Sequence, residues 1–118
     1  MSEPLILILK ENLEKVVERG NNENGNYIKF ADGTLIQYGS SSGIENNYKW
    51  VTFPIPFKSV GIVTANVSAV DSSYIYQVQP FDYTFQNFKA YVRYQAISGG
   101  AWGTGSNWFN WLAIGTWK

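Results

Sequence analysis

Apolar residues open the chain at helical spacing and then give way to the two-residue period of strands. Ile6, Leu9, Leu13 and Val16 stand three, four and three positions apart, which is the a/d spacing of a heptad. No glycine interrupts residues 5–19. Ser2 suits an N-cap with Pro4 in the first turn, and Gly20 supplies a C′ residue after Glu18-Arg19. Residues 1–20 are therefore expected to form a short oligomerising helix, a coiled-coil stub ahead of a separate domain at 21–118. A helix packed on a parent domain, or a strand made from Leu-Ile-Leu-Ile-Leu, fits the same residues.

After a polar linker at 21–26, the pattern becomes β throughout. Tyr27-Ile28-Lys29-Phe30 and Leu35-Ile36-Gln37-Tyr38 flank Ala31-Asp32-Gly33-Thr34, and Asp-Gly between apolar runs is a strong hairpin signal. Further strands are expected at 49–53, 60–67, 74–79, 88–95 and 108–117. Pro54 and Pro56 stop the third of these seven, because proline cannot donate to a ladder. Short strands divided by turn residues imply an all-β antiparallel sandwich, jelly-roll-like in character. In the last strand Trp111, Ala113, Gly115 and Trp117 alternate with Leu112, Ile114 and Thr116. Both faces of that strand should be covered, by core or by another subunit.

Composition narrows the function. A net charge of +0 and a charged fraction of 15% leave no basic patch for nucleic acid or for an anionic membrane surface. Nothing approaches the length of a membrane span, and Met1 to Leu9 lacks the basic n-region of a signal peptide. With no cysteine and no histidine, thiolate chemistry, disulfides and the commonest metal ligand and neutral-pH base are all missing. No phosphate-binding loop, dinucleotide fingerprint or nucleophile elbow is present. Asp32, Glu45, Asp71 and Asp82 are the acids open to a carboxylate pair, but Asp32 is explained by its turn and Asp71 by a loop. The expectation is a binding module without cofactor or metal, not an enzyme.

Aromatic residues make up 17% of 118, more than a core this small uses, so some rings should face an interface or a ligand. The glycine-rich stretch at 98–107 carries Trp102 at its middle and Trp108 at its exit. Sugar faces stack on such rings while Thr104, Ser106 and Asn107 meet hydroxyls. Alternatively, Trp102 folds back onto its own or a neighbouring subunit. Loops at 40–47 and 71–76, the latter with Tyr74 and Tyr76, mix tyrosine with adaptable polar residues as evolved binding loops do. The candidate ligand-binding set, with a carbohydrate as the leading ligand, is Trp102, Asn107, Trp108, Tyr74 and Tyr76.

Three blocks add a family resemblance: Gly25-Asn-Tyr-Ile-Lys-Phe-Ala-Asp-Gly-Thr-Leu-Ile-Gln-Tyr-Gly39, Val51-Thr-Phe-Pro-Ile-Pro-Phe57 and Asn110-Trp-Leu-Ala-Ile-Gly115. In this order they resemble the carboxy-terminal receptor-binding domain of bacteriophage tail fibres, and more distantly the H-type lectins. The resemblance implies a homotrimeric β-sandwich at the tip of a fibre, on a virion or phage-tail-like particle. Such a tip attaches to a bacterial surface glycan or outer-surface protein. It assigns no ligand residue: Asp32, Gly33, Pro54 and Trp111 fall in framework blocks.

Overall fold

A computed structural model describes residues 15–67 and 73–118. Nine strands follow in order: β1 (Val16–Asn22), β2 (Gly25–Phe30), β3 (Thr34–Ser42), β4 (Lys49–Thr52), β5 (Ser59–Val67), β6 (Tyr74–Phe81), β7 (Asn87–Ala96), β8 (Gly103–Thr104) and β9 (Trp108–Thr116). All pairings are antiparallel. One sheet runs β1-β2-β3-β9-β5; the other runs β4-β7-β6, with β8 added beside β7. The seven strands expected from the sequence are all present.

The two sheets meet through alternation. Leu35, Phe109, Trp111, Ala113 and Val63 point inward from the larger sheet, and Val51, Phe88, Ala90, Val92 and Val78 from the smaller. Trp111 sits edge-on to Phe88 and to Phe53, at 5.8 Å between centroids in each case. Burying aromatic and branched side chains of this size stabilises by roughly 1.5–3 kcal/mol each.

The three sequence blocks prove to be one structural unit. The first is the β2–β3 hairpin, where Gly33 takes φ +99° and Thr34 N donates to Asp32 Oδ1 at 2.8 Å, a conformation a β-branched residue resists. The second block leaves β4 at Pro54, and the fully buried Gln37 of β3 holds it. Gln37 Nε2 donates to Ile55 O at 2.8 Å, and Ile55 N donates to Gln37 Oε1 at 3.0 Å. An amide side chain thus takes the place of a neighbouring strand where two prolines forbid a ladder. The third block, β9, joins β3 to β5.

The amino-terminal expectation needs correction. Val16 to Gly20, expected at the end of a helix, form strand β1, paired with β2 from Val16↔Phe30 to Asn22↔Gly25. The polar stretch at 21–26 is therefore a hairpin with its turn at Glu23-Asn24, and no linker separates residue 20 from residue 21. Gly20 does not cap a helix; it makes room for the ring of its cross-strand partner Tyr27, which a Cβ would overlap. Pairing with a formed strand outweighs the weak helical periodicity of Val16 to Arg19. The heptad positions Ile6, Leu9 and Leu13 lie outside the described residues.

Candidate functional site

The two sheets present different outer faces. On the smaller sheet the inward residues Phe88, Ala90 and Val92 leave Lys89, Tyr91, Arg93 and Gln95 pointing out. Register brings Trp50 and Phe81 beside Lys89, and Gln77 beside Arg93. Around Lys89 the rings of Tyr48, Trp50 and Phe81 stand 4.6, 4.8 and 5.9 Å from Nζ, and Asp82 pairs with it at 3.1 Å. Phe81 stacks on Tyr91 at 5.4 Å and 7°. The protein's own ammonium therefore fills this aromatic box, so the box is not open to a ligand cation.

Beyond Tyr91 the same face opens into a groove of about 400 Å³ lined by Asn46, Tyr91, Arg93 and Thr104. The short strand β8 builds it: pairing Arg93↔Thr104 and Tyr94↔Gly103 sets Thr104 on the Arg93 side. Asn46, from the loop after β3, closes the other wall. Its backbone N donates to Thr104 Oγ1 at 2.7 Å, and Thr104 Oγ1 donates to Asn46 Oδ1 at 3.2 Å. Asn46 holds φ +62°, a left-handed conformation that asparagine tolerates better than most residues. Trp102 flanks the groove, 42% exposed, with the Arg93 guanidinium 5.9 Å from its ring centroid.

The five residues proposed from sequence do not converge. Trp102 lies beside this groove, near Arg93, and Thr104 from the same stretch lines it. Asn107 lies below, where its carbonyl accepts from Gly43 N at 3.0 Å. Trp108 starts β9 opposite Ser42. Because Phe109 and Trp111 point inward, Trp108 points out of the larger sheet, 65% exposed. Tyr74 and Tyr76 share the inward side of Val78 and cluster with Tyr94, at 5.7 Å for Tyr74–Tyr94 and 6.1 Å for Tyr76–Tyr94. The sequence reading did not single out Asn46, Tyr91 or Arg93. The alternation of β7 was a usable signal for the last two, since a strand apolar at Phe88, Ala90 and Val92 must show Tyr91 and Arg93 outward.

The outer face of the larger sheet carries an aliphatic row at its centre. Ile28↔Ile36, Ile36↔Ile114 and Ile114↔Ile62 make a row across four strands, with Tyr38↔Leu112 beside it. Ile62 is 63% exposed in the single chain. The expectation that both faces of β9 are covered thus holds for Trp111 and Ala113, whereas Leu112 lies open in the protomer. Among the described residues no group of three acids or histidines is placed to hold a metal ion.

Comparison with known proteins bears on what such a sandwich is. The family described as "Putative tail fiber protein gp53-like, C-terminal" matches residues 29–116. The chain belongs to this family. Among solved structures, the tail-fibre domain is similar to an N-truncated R2-type pyocin tail fiber, with a TM-score of 0.63 and 18% identity over 86% of this chain. The domain spans 39% of that fibre chain, and at this identity the likeness concerns the fold. No curated protein matches the sequence.

Proposed function

We propose that this tail-fibre domain is the receptor-binding tip of a homotrimeric phage or pyocin-like fibre, and that it adsorbs the particle to a glycan on the host surface without catalysis. One observation carries the reading: a groove where the Arg93 guanidinium, the Tyr91 ring and the mutually anchored Asn46 and Thr104 meet at one opening, with the exposed Trp102 indole beside Arg93. Saccharides are bound by this combination of a flat apolar ring and fixed polar groups. The groove is assembled from a loop, a strand and a two-residue strand, so its parts are held by pairing before any ligand arrives, which lowers the ordering cost of binding.

Assembly is assigned to the other face. The row Ile28, Ile36, Ile114 and Ile62, with Leu112 and Tyr38, is an uncharged apolar surface of the kind that marks an interface. Two further copies of this chain are its occupants. A closed cyclic trimer buries the same residues in every subunit and leaves the three grooves outside. Three linked weak sites on a repetitive surface multiply apparent affinity by about 10²–10⁴.

The test is binding of the purified domain to an array of bacterial surface polysaccharides, with its mass measured by light scattering. A trimer that binds at least one polysaccharide is expected. A trimer that binds none, even though intact cells of some strain capture it, points to a protein receptor. A trimer that neither cells nor polysaccharides capture supports a structural knob, and shortened chains released from a bound polysaccharide mean a depolymerase.

A further inference from the structure

We propose that the saccharide unit in the groove carries an anionic group, a carboxylate or a phosphate, and that Arg93 holds it. The inference rests on the glycan reading above and concerns what distinguishes this glycan from a neutral one.

The charges on the small-sheet face are unequally matched. Lys89 has Asp82 at 3.1 Å and three rings about it. Arg93, two residues past Tyr91 on the same stripe, has no carboxylate within ion-pair distance among the described residues; the ion pairs there are Lys29–Glu18 and Lys89–Asp82. Glu45, exposed on the neighbouring loop, does not line the groove. Arg93 therefore brings a cation to the opening that no carboxylate among the described residues matches.

Chemistry then decides between neutral and anionic ligands. A neutral sugar settling over Tyr91 and Trp102 would strip water from the guanidinium and return weaker hydrogen bonds, and covering an uncompensated charge is costly. A carboxylate or phosphate restores that loss with two parallel N–H···O bonds, which the planar fork matches and an ammonium does not. The indole beside Arg93 limits the orientations of the fork, because guanidinium and ring attract face to face. Thr104 and Asn46 remain for hydroxyls of the same unit, and a groove of about 400 Å³ falls within the range that small ligands fill.

The experiment uses the intact domain and each polysaccharide it binds, in three forms: as extracted, after chemical reduction of its carboxyls, and after removal of phosphate with hydrofluoric acid. Binding is expected to fall roughly tenfold or more in one treated form, as loss of a charge-assisted pair predicts. The treatment responsible identifies the group as carboxylate or phosphate. Arg93→Gln should bind the untreated polysaccharide as weakly as the wild type binds the treated one, with an unchanged melting temperature because the side chain is exposed. Arg93→Lys should recover only part, having charge without the fork. Binding that survives both treatments overturns the proposal while leaving the glycan reading intact, as does Arg93→Gln binding like wild type. If no polysaccharide binds at all, the glycan reading falls and this inference falls with it.

Discussion

The two outer faces of this sandwich are built from the same strand grammar and differ in what alternates with the core. In β9, the residues between Phe109, Trp111 and Ala113 include Leu112 and, next along, Ile114; in β7, those between Phe88, Ala90 and Val92 are Lys89 and Tyr91, with Arg93 following. The first face carries an aliphatic row flanked by uncharged polar residues such as Ser40, Thr64 and Asn110, and its charge is confined to the edge strand, as Arg19 is. The second pairs its lysine with Asp82, and its arginine has no carboxylate partner among the described residues. A sheet needs only one apolar face to fold, so the chemistry of the second face is free to be spent on partners. In the function proposed above, one sheet offers that face to copies of the chain and the other to a ligand.

The comparison breaks most visibly if the aliphatic face is charged. Ile62 and Leu112 are exposed within a protomer, so the protomer itself tolerates lysine at both. Burial of each branched side chain contributes on the order of 1.5–3 kcal/mol, lost three times over in a trimer and compounded by like charges brought together. Ile62→Lys with Leu112→Lys should convert the trimer to a folded monomer by light scattering, with the strand signature intact in circular dichroism. A trimer that persists would move the interface elsewhere.

A smaller effect separates the two tryptophans. Trp102→Ala should weaken polysaccharide binding about 30-fold per site, the loss of about 2 kcal/mol typical of an aromatic anchor, without moving the melting temperature. Trp108→Ala, on the opposite sheet's outer face, should leave groove affinity per site within about threefold, inside the scatter of surface substitutions. Equal losses from both would mean that the binding surface wraps the end of the sandwich.

The reach of sequence reasoning follows from the same contrast. The seven expected strands were legible because Asp32-Gly33, Pro54 and Pro56, and the glycines after Ile97 punctuate apolar runs of period two. Strand β1 was not, because Val16-Val17-Glu18-Arg19-Gly20-Asn21-Asn22 has no alternation: a bulge between Val16 and Glu18 breaks its register, and its Asn24-Gly25 turn signal lacked a visible partner strand. Trp102 and Thr104 were legible as loop residues. Asn46 was not, since it reaches Thr104 across 58 positions of sequence, and only the pairing of β8 with β7 brings Arg93 to them. Gln37 read as an ordinary strand residue, although its burial decides where the proline segment sits.

The mildest test uses the framework turn as a control for both faces. Asp32 lies at the end of the β2–β3 hairpin, on neither the groove nor the isoleucine row. Its carboxylate accepts from Thr34 N at 2.8 Å, and that backbone hydrogen bond, with help from the Thr34 hydroxyl and the Lys118 charge, holds its pKa below the usual carboxylate range. A carboxyl depressed in the folded state contributes stability above its unfolded pKa, and this contribution disappears as pH falls through the folded pKa. Asp32→Asn keeps an oxygen to accept from Thr34 but cannot titrate. At neutral pH the variant should melt a few degrees lower at most, and the gap to wild type should close as the solution is acidified through the carboxylate range. Glu18, whose pKa is also lowered, by the Tyr27 hydroxyl and Lys29, supplies acid sensitivity that both proteins share. Trimer mass and polysaccharide affinity should match wild type at neutral pH. A variant that instead lost adsorption with unchanged melting would show the turn to be part of a site, and the division of labour between the two faces would have to be redrawn.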